Sequence, residues 1–162
     1  MIEATEKQLY KARTLLLEGK LDEALLELDV LLVRQPDFGK GQVLFGHIQF
    51  RYFKNYAGAE ESFRKAMKLA PDYAELYFDY SELLLQLERY TETVAVLNKS
   101  MEIPGIEKDK IYYRFGLLYE RQSKWEEAIN YFGQALHYTF SDEMVKQYEM
   151  DVLRCLKKKN FA

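Results

Sequence analysis

Hydrophobic positions recur along this chain with two periods at once, a short one of three and four residues and a long one of 34 or 35. Small residues that open a hydrophobic triplet fall at Ala12, Gly46, Ser81 and Gly116, spaced by 34, 35 and 35. A second series, Ala24, Ala59, Thr93 and Ala128, keeps spacings of 35, 34 and 35. Each of its members is followed four residues later by Leu28, Phe63, Leu97 or Phe132, and three beyond that by Leu31, Ala66, Ser100 or Ala135. Offsets of three and four bring side chains to one face of a helix, so each long period predicts two amphipathic helices of about four turns or fewer.

The breaks between helices repeat as well. Within a pair they read Gly19-Lys20-Leu21-Asp22, Lys54-Asn55-Tyr56, Glu88-Arg89-Tyr90-Thr91 and Ser123-Lys124-Trp125, polar residues with one large apolar plug to seal the hairpin end. Between pairs, Pro36-Asp37-Phe38 and Pro71-Asp72-Tyr73 stop one helix with proline and offer an Asp to cap the next. Pro104-Gly105 closes the third pair. The units are thus placed at about 5–38, 39–73, 74–106 and 109–140 within a single domain, 1–162. A further helix over about 142–158 is predicted, with Ser141 as N-cap and Lys157 to Lys159 at its negative C-terminal end. Met144, Val145, Tyr148, Val152, Leu153 and Leu156 are its expected apolar stripe, covering the open face of unit four.

This arrangement resembles the tetratricopeptide repeat family. Unit four carries the likeness most fully, through Tyr112, Phe115, Gly116, Tyr119, Ala128, Phe132 and Ala135, and unit one in Gly19 to Ala24 and the closing Pro36. Departures are Gln8 at a large-apolar position, one extra residue after Gly46, Thr93 and Ser100 in place of Ala, and Phe140 in place of the closing proline. The resemblance covers about residues 5–140 and implies an all-α fold, a right-handed α-α superhelix of helix-turn-helix repeats. It also implies protein or peptide binding in a concave groove lined by the first helix of each pair.

Composition narrows the function classes. Hydrophobic residues make up 48% and charged residues 30%, with only 3 Pro and 8 Gly, which excludes disordered and low-complexity classes. A net charge of −3 supplies no field to attract a phosphate backbone, so nucleic acid is not an expected partner. The lone Cys155 forms no internal disulfide, and no opening segment reads as a secretory signal; a reducing, cytoplasmic setting is the expectation, with a bacterial flavour to the Lys- and aromatic-rich composition. The apolar runs Leu15 to Leu17 and Leu83 to Leu85 fall far short of the ~20 residues of a membrane span.

Catalytic constellations do not assemble from the sequence. His47 and His137 lie in different units without a Cys or paired carboxylate at ligand spacing, so no metal and no cofactor is expected. Cys155 reads as a small buried hydrophobe. The pairs Glu60-Glu61 and Glu126-Glu127 diverge by about 100 degrees around a helix and cannot share a substrate atom. No glycine run precedes a Lys and a Ser or Thr, as a phosphate loop requires.

The expectation is therefore a non-enzymatic adaptor or scaffold. Carrying the family's groove onto this chain selects Tyr10, Arg13 and Leu17, then Leu44, His47, Phe50 and Arg51, then Phe78, Asp79, Glu82, Tyr113, Arg114, Leu117 and Arg121. Aromatics interleaved with arginines suit a peptide that inserts an apolar side chain and presents a carboxylate. One branch of the family grips the C-terminal carboxylate of chaperones; only Lys110 and Arg114 fit its pattern, whereas Val43, His47 and Asp79 oppose it. The alternative expectations are a self-associating module, a homodimer joined through aromatic ends such as Tyr148 and Phe161, and an accessory part of a larger complex.

Overall fold

The long period becomes a succession of helix pairs. A computed structural model describes residues 2–161. Among them run α1 (Ile2–Leu17), α2 (Leu21–Arg34), α3 (Gly39–Arg51), α4 (Tyr56–Leu69), α5 (Ala74–Gln86), α6 (Tyr90–Ser100), α7 (Lys108–Arg121), α8 (Trp125–Tyr138) and α9 (Asp142–Asn160), and no strand. The chain divides into two compact units, Met1–Leu76 and Tyr77–Ala162. In the first, α1 packs on α2 and α3, and α3 on α4; in the second, α7 packs on α6 and α8, and α8 on α9.

Both small-residue series lie where helices cross. Ala12, Ser81, Ala24, Ala59, Thr93 and Ala128 are buried, as are the residues that follow them, Leu28, Phe63, Leu97, Phe132, Leu31, Ala66, Ser100 and Ala135. At Gly46 a Cβ would stand 2.6 Å from the ring of Phe63, and at Gly116 it would stand 2.4 Å from the ring of Phe132. The hydroxyls that replace alanine in unit three bond to their own helix, Thr93 to the Arg89 carbonyl and Ser100 to the Leu97 carbonyl, so they cost the core little. In the first unit the core joins Leu9, Ala12, Leu28, Leu31, Leu44 and Ile48. In the second, Tyr131 stacks on Phe115 and Tyr119 with centroids 5.0 and 5.2 Å away, locking α7 to α8.

The turns inside the pairs share a backbone device that side-chain patterns conceal. Two residues before each second helix the chain turns left-handed, at Gly19, Lys54, Glu88 and Ser123, with φ of 77°, 54°, 57° and 57°. Only one of the four is glycine. The extra residue of unit two widens its turn, and there Asn55 caps α4 by accepting from the Gly58 amide at 3.1 Å while donating to Gln49 at 2.8 Å.

Two expectations are corrected. Asp37 does not cap α3: the turn at Pro36 and Asp37 shifts the cap position to Phe38, whose amide bonds to the Gln35 carbonyl and whose ring packs on the core. On α9, Ser141 does cap the helix, accepting from the Met144 amide, but Leu153 and Leu156 are exposed. The buried face is Tyr148, Asp151 and Cys155, flanked by the partly buried Val152. Tyr148 is therefore closed to any dimer contact: it stacks on Tyr113 at 5.0 Å and donates to Asp109 at 3.3 Å.

The place of a leucine on that face is taken by an acid. Asp151 is held by Arg154 from the next turn and by Gln147 at 3.1 Å. Arg154 also forms a two-pronged pair with Glu120 of α7, at 2.8 and 2.6 Å, and Lys158 reaches the same carboxylate at 2.9 Å. Lys159 meets Glu126 at 2.9 Å. Lys158 and Lys159 thus bind specific partners on α7 and α8 in addition to facing their own helix dipole.

Candidate functional site

Surface positions on the first helices follow from the small crossing residues, and the structure distributes the nominated side chains unevenly. In the first unit, Leu44 and Phe50 are buried, so neither presents much side-chain surface to a ligand. Leu44 joins the core cluster, and Phe50 meets Tyr56 edge-on at 6.0 Å while its ring carries the Arg51 guanidinium 4.7 Å above it. Leu17, at the very end of α1, is almost wholly exposed and stands apart from these.

Arg13 is already engaged. It forms a two-pronged pair with Glu75, one contact at 2.9 Å, and donates to the Tyr73 hydroxyl at 2.6 Å. Burial by itself raises the Glu75 pKa, but the hydrogen bonds and charge of Arg13 outweigh it, and His47 adds to them, so the carboxyl stays below its ordinary range. Burial likewise pushes the Tyr73 hydroxyl up. Tyr10 and Arg13 line a small depression of about 180 Å³ with Glu6, Leu9, Lys40 and Tyr73. His47 leans toward Tyr52, with ring centroids 6.5 Å apart.

The second unit gathers more of the nominated residues. Glu82, Tyr113, Arg114, Leu117 and Arg121 line one cavity of about 270 Å³, together with Ser81, Leu85, Gln86 and Thr93. Arg114 forms its wall rather than a free hook: its guanidinium lies 4.7 Å over the Phe78 ring and donates to the Phe78 and Lys110 carbonyls at 3.3 and 3.1 Å. Phe78 and the half-buried Asp79 stay outside the lining. Tyr113 packs between Phe132 and Tyr148, and that burial raises its hydroxyl pKa. Arg121 is exposed and forms no ion pair among the described residues. It is the lining cation left to meet a ligand.

Leu85 and Gln86 escaped the sequence reading although the repeat marks them. They lie four and five residues after Ser81, as Phe50 and Arg51 follow Gly46 and as Glu120 and Arg121 follow Gly116. The cavity is lined by the guanidinium groups of Arg114 and Arg121, the Glu82 carboxylate, the hydroxyls of Ser81, Thr93 and Tyr113, and the apolar Leu85 and Leu117. Such a set holds an apolar side chain with a neighbouring charge. No group of three or more His, Cys, Asp or Glu side chains able to hold a metal ion occurs among the described residues, and no described helix is long and apolar enough to cross a membrane.

Comparison with known proteins now bears on this architecture. Residues 52–103 and 109–139 match two family models, each described as a tetratricopeptide repeat, and together these span half of the chain. Human tetratricopeptide repeat protein 13 is 25% identical over 152 residues, which covers 91% of this chain and 17% of that protein. Anaphase-promoting complex subunit 7 of Dictyostelium discoideum is 23% identical over 145 residues, covering 90% of this chain and 23% of that one. The chain therefore spans about a fifth of the length of the curated relatives it matches.

Among solved structures, PilF of Pseudomonas aeruginosa superposes with a TM-score of 0.86 at 19% identity, over 98% of this chain and 70% of its own. PilW, a type IV pilus biogenesis factor, gives 0.79 at 20% identity over 96% and 76%. TTC0263, a tetratricopeptide repeat protein of Thermus thermophilus, gives 0.76 at 20% identity over 92% and 81%. At these identities the likeness establishes the fold, an all-α tetratricopeptide superhelix, and nothing finer. Helix pairs with buried small residues at their crossings, the two family matches and the shared fold lead to one assignment: the chain belongs to the tetratricopeptide repeat family.

Proposed function

We propose that this chain is a non-enzymatic adaptor that binds a protein or peptide segment on its first-helix surface, with the cavity around Leu117 and Arg121 as the anchor point. The observation that carries this reading is the convergence of five nominated residues on one cavity, with a cation still available in it. The fitting ligand is a peptide that places an apolar side chain on Leu85 and Leu117 and an acidic group at Arg121. Glu82, also in the lining, adds a negative charge that disfavours a second acid beside it. Nucleic acid is not the expected partner of a chain with net charge −3. A reducing compartment, the cytoplasm, suits the single buried thiol.

The test is selection from a random peptide library with purified protein, repeated with a Leu117→Ser, Arg121→Glu double variant of equal helicity. Enrichment by the wild type of sequences pairing an apolar residue with an acid, lost in the variant, supports the reading. Enrichment that survives in the variant moves the site elsewhere, and no enrichment at all removes peptide binding from this surface.

A further inference from the structure

Beyond that binding surface, two exposed helix faces set large apolar residues beside charges of opposite sign. On α9 the face opposite Tyr148 and Cys155 presents Lys146, Met150, Leu153 and Lys157, spaced by four, three and four residues. Met150 and Leu153 are 63% and 56% exposed, and Phe161, 92% exposed, follows one turn after Lys157. On α2 the face opposite Ala24, Leu28 and Leu31 presents Asp22, Leu26, Asp29 and Val33, with the same spacing of four, three and four. Leu26 and Val33 are 64% and 76% exposed.

The charges in these stripes are opposite in sign, Lys146 and Lys157 flanking Met150 and Leu153, Asp22 and Asp29 alternating with Leu26 and Val33. Lys146, Lys157, Asp22 and Asp29 are exposed, and among the described residues they form no ion pair, unlike Lys158 and Lys159 beside them. One stripe reads base, apolar, apolar, base; the other reads acid, apolar, acid, apolar. Each stripe sets two large apolar residues among charges of one sign, and the opposite signs favour pairing one stripe with the other over either stripe with its own kind.

We propose that the α9 face of one copy docks on the α2 face of another, so that the chain associates head to tail. Such a contact is heterologous: it leaves an α2 face open at one end and an α9 face open at the other, and it builds chains or closed rings rather than a twofold dimer. Single-helix faces of this length bury less than the roughly 1,200 Å² of a standard interface, so association in the micromolar to millimolar range is expected.

The experiment is sedimentation of the full chain across a concentration series up to about 1 mM, with two charge-reversed variants. One carries Lys146→Glu and Lys157→Glu; the other carries Asp22→Lys and Asp29→Lys. All four positions are exposed, and unchanged circular dichroism confirms folding. The wild type should associate, each variant alone should associate about tenfold more weakly or not at all, and an equimolar mixture of the two should recover association, because each reversed face then meets its complement. A wild type that stays monomeric throughout overturns the proposal. So does association undiminished by reversal in either variant, or a mixture that fails to recover it.

Discussion

The ring of Phe132 lies against the backbone of α7 at Gly116, so closely that a Cβ there would approach Cδ1 and Cε1 to 2.4 Å. Phe63 and Gly46 repeat the relationship in the first unit at 2.6 Å. Both rings are wholly buried and have little room to retreat. Gly116→Ala is therefore expected to destabilise: overpacking costs about 1–3 kcal/mol, and the better helix propensity of Ala returns up to about 1 kcal/mol. A net loss of about 1–2 kcal/mol in urea unfolding is the expected outcome, with partial recovery on adding Phe132→Leu. An unchanged midpoint for Gly116→Ala would show that the ring yields, and that the small residue is not what sets the crossing.

The left-handed turns separate backbone strain from packing. A Cβ at Gly19 would meet nothing within 4 Å, so Gly19→Ala tests φ alone. It should lower stability by about 1 kcal/mol. Ser123 adopts the same conformation with a side chain, and Ser123→Gly should raise stability by about 0.5–1 kcal/mol, once the greater freedom of glycine in the unfolded chain is deducted. Opposite signs in thermal melts of the two variants are the expectation; equal signs would show that the turn relaxes when its residue changes.

Acid should loosen the C-terminal helix through Glu120. Burial alone raises the pKa of this carboxyl, but hydrogen bonds from Arg154 and Lys158 outweigh it and hold the folded value below the ordinary 4.5. A depressed folded pKa means stability that is complete above the unfolded value and lost as pH falls through the folded one. Glu120→Gln should thus cost about 2 kcal/mol at pH 7 and flatten the dependence of stability on pH below about 4.5. Glu75, held low by Arg13 but half exposed, contributes a smaller effect in the same pH range. A Glu120→Gln protein with the acid sensitivity of the wild type would assign that sensitivity to other carboxyls.

The repeat made the fold legible because it identifies equivalent positions without needing to know what they touch. Gly46 and Gly116, or Phe63 and Phe132, announce themselves by spacing, and all four prove to be crossing positions. Equivalence says less about a groove. Tyr10 and Leu44 hold the same place in successive units, yet one is exposed and the other belongs to the core. The partners of Arg13 stand 62 and 60 residues away, and one carbonyl bonded by Arg114 stands 36 away, so no local pattern announces that these guanidinium groups are occupied. The same holds for α9. Asp151 looks like an outward residue until Arg154, bridging to Glu120, neutralises it on the buried face.

That bridge gives a direct way to watch α9 leave its seat. Cys155 sits on the buried face against Ala128 and Phe132, and burial pushes its thiol up to about 11, so the native protein presents almost no thiolate at pH 8. A thiol reagent can react only after the helix opens. When closing outruns labelling, the observed rate scales with the open population. If the contacts of Glu120 hold α9 down, Glu120→Gln should speed labelling of Cys155 by about thirtyfold, the factor equivalent to about 2 kcal/mol. Gly19→Ala, which strains a turn in the first unit, should leave the rate nearly unchanged if α9 opens on its own. Equal acceleration in both variants would mean that Cys155 is reached only by global unfolding, and an unaltered rate in Glu120→Gln would remove the clamp as the element that seats the terminal helix.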